Sequence, residues 1–144
     1  MTYDGFDLTG KVAVITGGNG GIGLGFARAL AAAGADVSVW GTNQDKNAAA
    51  EKELQAINSS ASAVRCDVAN EQEVEECMAS VIERYGRIDA CFPNAGIGAQ
   101  NQKPFFEHSN EDWFSVLDVN LNGVFYTLRA ATRQMVAQGE GGTL

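Results

Sequence analysis

Short apolar runs and longer helical patterns alternate along the whole chain, and this alternation limits the fold more than any other feature. "KVAVIT" (residues 11–16) reads as a buried strand. Helical spacing follows through Ile22, Phe26, Ala29, Leu30 and Ala33, with Gly34 as the C-terminal cap. "DVSVW" (residues 36–40) is a second strand, and residues 43–57, rich in Ala, Glu, Lys and Gln, favour a second helix. "SAVRCDV" (residues 62–68) gives a third strand. Asn70 with Glu73 makes an Asx-type capping box for a helix with apolar positions at Val74, Cys77, Met78, Val81, Ile82 and Tyr85, stopped by Gly86. "RIDACF" (residues 87–92) is the fourth strand, ended by Pro93. Past a polar loop, Ser109 and Asp112 start a long helix through Trp113, Leu117, Leu121, Phe125 and Leu128 to Ala137. Strands and helices in this order build a parallel sheet covered on both faces. Right-handed crossovers make it a doubly wound α/β sheet.

Composition sets the remaining bounds. A chain of 144 residues, 45% hydrophobic and 19% charged, is read as one globular domain with its own core. A net charge of −8 argues against a nucleic-acid partner held through its phosphates. Part of that charge, at Glu71, Glu73, Glu75 and Glu76, reads as a solvated helix face. No apolar run approaches the roughly 18 residues of a membrane span, and the first residues lack the basic-then-apolar pattern of a secretory leader. Cys66, Cys77 and Cys91 are odd in number and have no CxxC spacing, as expected of reduced, mostly buried thiols in a cytoplasmic protein. The single histidine, His108, lies in a polar loop with no metal-ligand cluster around it, and a surface or helix-start role is expected.

Between the first strand and first helix stands "VITGGNGGIGLG" (residues 14–25), with six glycines in twelve positions. Glycine inside an element costs roughly 0.5–1 kcal/mol relative to alanine, so this turn needs something only glycine offers. A helix N-terminus carries unpaired N–H groups and a partial positive charge, a ready site for a pyrophosphate. Glycines let the backbone turn tightly, approach the phosphates and pack the helix on the strand. The plainer alternative is a tight turn with no ligand. Gly18, Gly20 and Gly23 spell G-x-G-x-x-G, while Thr16, Gly17, Gly21 and Gly23 spell T-G-x-x-x-G-I-G. No Gly-Lys-Ser/Thr follows, which excludes a P-loop.

The second glycine pattern resembles the cofactor loop of the short-chain dehydrogenase/reductase family. The resemblance continues in order through "CDV" (residues 66–68), "PNAG" (residues 93–96, with Pro93 in place of the family's first asparagine) and "DVNLNGVF" (residues 118–125). It covers essentially the whole chain. It implies a Rossmann-type sheet of order 3-2-1-4, truncated after about four strands, with residues 1–144 as one NAD(P)-binding domain that is incomplete at its C-terminus. It also implies that Gly17, Asn19, Gly20, Gly21, Ile22 and Gly23 surround the cofactor pyrophosphate. By the same resemblance, Gly41, Thr42 and Asn43 lie at the ribose, Asp67 and Val68 at the adenine, and Asn94, Ala95 and Gly96 on the floor beneath the nucleotide.

Asn120 matches the family's catalytic asparagine. The residues themselves leave Asp67 open between adenine acceptor and loop-capping carboxylate, and Asn120 open between catalytic amide and satisfied helix-packing amide. NAD and NADP both stay open. Gly41 stands where an NAD binder keeps its acid, Thr42 where NADP-preferring relatives often carry arginine, and Lys46 is the nearest cation. The implied partners are a small-molecule carbonyl or alcohol substrate and, in the full-length form, further copies of the chain.

The family's chemistry is hydride transfer, with a tyrosine as acid/base, a lysine that brings its pKa of about 10 into working range, and a serine that polarises the substrate oxygen. The signature is Tyr-x-x-x-Lys. Here Asp7, Asp89 and Ala130 stand four residues after Tyr3, Tyr85 and Tyr126, and "GEGGTL" resembles the start of the family's fifth strand. The expectation is the cofactor-binding half of a dehydrogenase, inactive alone. The competing reading is a non-catalytic dinucleotide-binding module that senses or scaffolds.

Overall fold

In a computed structural model the chain is described over residues 6–98 and 103–144. Part of the polar loop before Ser109 therefore lies outside the described residues. Four parallel strands, β1 (Val12–Thr16), β2 (Asp36–Gly41), β3 (Ser62–Arg65) and β4 (Ala90–Pro93), form one sheet in the order β3-β2-β1-β4. Parallel neighbours require a crossover between them. The first three crossovers are α1 (Gly21–Ala32), α2 (Gln44–Gln55) and α3 (Glu71–Tyr85). After β4 come a 3-10 turn (Phe105–Glu107), α4 (Asn110–Leu117), a π-helical turn (Asp118–Asn122) and α5 (Gly123–Gln138). The expected α/β class and strand order are those observed.

Central strand β1 is buried throughout, and its side chains alternate between two cores. Val12 and Val14 join Trp40, Val74, Val81, Ile88, Ala130 and Met135 on the face covered by α3 and α5. Ala13 and Ile15 join Ala27, Ala31, Val37, Val39 and Leu54 on the face covered by α1 and α2. Helices on both faces make the sheet doubly wound.

Several boundaries move. The third strand ends at Arg65 rather than Val68, because Asp67 bends the chain: its Oδ1 accepts from Ala69 N at 3.0 Å, and its carbonyl accepts from Asn70 N at 3.0 Å. The fourth begins at Ala90 rather than Arg87, since Ile88 is tied to the Gln138 amide and Asp89 caps the Val12 N–H at 2.9 Å. It continues through Pro93, which pairs in register with Thr16. Cys91 N donates outward to Thr143 at 3.0 Å, and alternation puts position 93's missing N–H on that same outer side, where β1 does not need it. Thr143 in turn forms a parallel bridge with Ala90.

The helices hold two larger corrections. In α1 the row facing the sheet is Gly23, Ala27 and Ala31, not Ile22, Phe26 and Ala29; Ile22 is 73% exposed. Small residues face inward because the turn draws the helix close against the sheet. The long helix after Ser109 is interrupted by the π turn, in which Gly123 N reaches back five residues to the Asp118 carbonyl. Its buried row is Gly123, Thr127, Ala130, Ala131 and Met135, while Trp113, Leu121 and Phe125 are exposed. Gly123 packs against Val68 so closely that a Cβ there would meet the Val68 carbonyl at 3.0 Å. That approach turns the larger side chains away from the sheet.

Candidate functional site

At the carboxyl ends of the strands, the side on which open α/β sheets take ligands, the turn after β1 has two kinds of glycine. Gly17 (φ +63°) and Gly21 (φ +52°) hold left-handed backbone that only glycine adopts freely. A Cβ on Gly17 would meet Ala95 Cα at 2.9 Å, and one on Gly23 would strike the Gly17 carbonyl and the Asn94 amide. These two glycines let the chain pack against itself. Around Gly20 and Gly21 a Cβ would meet nothing in the protein within 4 Å, so the mouth of the turn faces open space. Gly20, extended at φ −174°, is the N-cap of α1 and offers no side-chain acceptor; the first amides of the helix are open to an anion there.

The segment after β4 holds the turn in place. Asn94 Nδ2 donates to the Thr16 carbonyl at 3.1 Å and the Gly17 carbonyl at 3.4 Å, and Ala95 N donates to Thr16 Oγ1 at 3.0 Å. Replacement of the motif's first asparagine by Pro93 leaves this link intact. A cleft of about 230 Å³ opens beside it. This is smaller than the roughly 300–1,000 Å³ of a pocket that encloses a drug-sized ligand.

Of the residues expected from sequence, Gly17, Asn19, Gly41, Thr42, Asn43, Asp67, Val68, Ala95 and Gly96 line this cleft. Gly20, Gly21 and Ile22 stand at the turn's mouth, and Gly23 and Asn94 support it from behind. Sequence reading missed Trp40, Cys66, Ile97 and Val119 in the lining, and gave Lys46 no defined place. Lys46 is held by the α2 cap, its N–H donating to Asn43 Oδ1 at 2.9 Å. Asn19 Nδ2 donates to Asn47 Oδ1 at 2.7 Å, and Asn47 Nδ2 reaches the Gly41 carbonyl at 2.9 Å.

Asp67 keeps both roles open in its own geometry: one oxygen caps the Ala69 N–H while the residue lines the cleft. Glu73 differs from the reciprocal box expected with Asn70. Asn70 Oδ1 does accept from Gln72 N and Glu73 N, but the Glu73 carboxylate reaches past Asn70 to Asp67 N at 2.9 Å and Arg65 at 2.5 Å. The Asp67 N–H, then Arg65, hold that carboxyl below its usual range.

Asn120 lies within the π turn and is exposed rather than buried among apolar neighbours. Its Oδ1 accepts from Ile97 N and its Nδ2 donates to the Ile97 carbonyl, both at 2.9 Å. It thereby fixes the chain beyond Gly96 at the edge of the cleft. The thiols Cys66, Cys77 and Cys91 are free and buried. Its contact with Cys77, then burial, push the Cys66 thiol up; burial pushes Cys91 up to about 12. His108 sits 3.7 Å from Asp112 at the start of α4, as a helix-start residue would. Among the described residues no cluster of His, Cys, Asp and Glu could hold a metal, and no helix is long and apolar enough to cross a membrane.

Known proteins share this fold. The sequence profile of the short chain dehydrogenase family matches residues 11–144. A sorbose reductase from Schizosaccharomyces pombe is 38% identical over 139 residues, covering 94% of this chain and 54% of that protein. The crystal structure of a short-chain type dehydrogenase/reductase from Mycobacterium marinum superposes with a TM-score of 0.89 at 37% identity, covering 96% of this chain and 56% of that one. NAD⁺-bound xylitol dehydrogenase superposes with a TM-score of 0.87 at 33% identity, covering 94% and 52%. The chain thus spans about half the length of the curated relatives it matches. By profile, sequence and superposition, it belongs to the short-chain dehydrogenase family of oxidoreductases.

Proposed function

We propose that the chain binds NAD or NADP and forms the cofactor-holding part of an oxidoreductase that moves hydride between the nicotinamide and a small carbonyl or alcohol substrate. The observation that carries this reading is the glycine turn itself. Gly17 and Gly23 are closed by the protein's own backbone, whereas Gly20 and Gly21 face open space at the N-terminus of α1. An anionic pyrophosphate fits that space, with Ile22 N as a donor and Asn19 beside it. Asp67 and Val68 would flank the adenine; Gly41, Thr42 and Asn43 the adenosine ribose; Asn94, Ala95 and Gly96 the floor. A superposing relative whose structure contains NAD⁺ supports the same use of this fold.

When bound, the nicotinamide supplies or accepts the hydride. Asn120 would position the chain at Ile97, on the lining of the cleft. These 144 residues contain no Tyr-x-x-x-Lys pair, so this polypeptide alone is expected to hold cofactor without turnover. A non-catalytic dinucleotide module would bind in the same way, and turnover by a longer chain carrying Ser and Tyr-x-x-x-Lys separates the two readings. Free buried thiols fit a cytoplasmic setting, and exposed apolar side chains on α4 and α5 fit a homo-oligomer. Isothermal titration of the chain with NADH and NADPH tests the assignment. Saturable binding is expected, and the absence of binding by either nucleotide would overturn it.

A further inference from the structure

The corner of the cleft between β2 and α2 is occupied by two amides and, among the described residues, no carboxylate. A Cβ built on Gly41 would fall on the Asn19 amide, within 2.6 Å of its Cγ, and 2.9 Å from Asn47 Oδ1. Asn19 is held there by Asn47, which is itself buried and anchored on the Gly41 carbonyl. The two amides bridge the end of β2 at the position where an acid would take the 2′-hydroxyl of an adenosine ribose.

What remains at this corner can donate. Thr42, Asn43 and Lys46 all line the cleft. Asn43 spends its Oδ1 on Lys46 N, which leaves its Nδ2 as a donor. Asp45, in the same first turn, is not among the lining residues, and the lining's carboxylate, Asp67, follows β3. An acceptor-poor corner with one ammonium suits a phosphate better than a hydroxyl pair that must itself donate.

We propose that this site selects the 2′-phosphorylated dinucleotide, NADP(H), over NAD(H), with Lys46, Asn43 and Thr42 receiving the 2′-phosphate and the Asn19–Asn47 bridge standing where an acid at Gly41 would reach. The inference rests on the dinucleotide reading above. It goes beyond that reading by naming the cofactor form and the side chains that choose it.

Paired titrations of the 144-residue chain with NADPH and NADH test it. NADPH is expected to bind about ten- to a hundredfold tighter, the range of one charge-assisted contact, and the ratio is expected to shrink as ionic strength rises. Lys46→Gln should narrow the ratio about tenfold. Gly41→Asp, checked for folding by thermal melting, should displace Asn19 and invert the preference. Equal affinities, or tighter NADH binding, would overturn the inference and leave the dinucleotide reading standing. A preference unmoved by Lys46→Gln would overturn the assignment to this corner. Failure to bind either nucleotide would overturn both readings together.

Discussion

Gly21 and Gly23 sit two positions apart, yet the structure separates what each does. A side chain at Gly23 would strike the Gly17 carbonyl and the Asn94 amide, so that glycine serves packing. At Gly21 nothing stands within 4 Å; the cost there is the left-handed backbone, about 1–2 kcal/mol for a side-chain-bearing residue, and whatever ligand occupies the open mouth. Gly21→Val should therefore remain folded with a modestly lower melting temperature and lose most of its NAD(P)H affinity. Titration of a variant that melts cooperatively decides it: unchanged affinity would remove the pyrophosphate from this turn. Gly23→Ala should instead lose stability in proportion to the displaced Gly17 carbonyl. Sequence reading could identify the glycines but not divide them, because the dividing partners, Asn94 and Ala95, lie more than 70 residues away in the chain. Gly41 is a similar case. The sequence shows only a missing acid, and the amide that fills its place comes from the loop before α1.

At the scale of elements, the clearest local signal is the start of α3. Asn70 Oδ1 caps Gln72 N and Glu73 N, and Gly86 closes the helix at φ +79°. Asn70→Ala should cost about 1 kcal/mol, read as a lower midpoint in urea with an unchanged slope. Elements with such end signals were legible: the α3 row of Val74, Cys77, Met78 and Val81 is the buried row observed. Where packing rather than periodicity decides the face, legibility failed. In α1 the apolar residues Ile22 and Phe26 outweigh Gly23 and Ala27 in any hydrophobic pattern, yet only the small residues allow the helix to come close to the sheet. The π turn at Asp118–Asn122 has no sequence marker comparable to a proline, and it shifts the face of everything before Gly123. That shift carries Asn120 to Ile97, a contact no spacing rule anticipates. The lining of the candidate cleft was legible where motifs name residues, and illegible where two loops meet.

Over the whole molecule, the sheet's two ends are fastened differently. At the amino ends of the strands, Asp89 accepts from Val12 N, Arg87 and Lys11, and Arg87 also reaches Glu140 near the C-terminus. Burial opposes ionisation of Asp89, but donors from Arg87, Val12 and Lys11 outweigh it and hold its carboxyl below the usual 3.8. A depressed folded pKa gives stability that is present above the unfolded value and lost as pH falls through the folded one. Asp89→Asn should thus lower the melting temperature at neutral pH and flatten its decline below about pH 4; an unchanged acid limb would dismiss Asp89 as a fastening. The outer edge of β4 is less secure. Thr143 covers Ala90 and Cys91, and among the described residues no further strand extends along that edge to Phe92 and Pro93. α4, the π turn and α5 expose Trp113 (57%), Phe114 (56%), Leu121 (59%) and Phe125 (55%). An unpaired edge and exposed apolar surface together form a template for association. The 144-residue chain is therefore expected to sediment above its 15.2 kDa monomer mass at micromolar concentration, with the larger species growing as concentration rises. Trp113→Lys with Leu121→Lys should shift it toward monomer without lowering the melting temperature, since neither side chain is part of either core. A concentration-independent monomer in the unsubstituted chain would mean that the β4 edge and these helices do not act as an association surface.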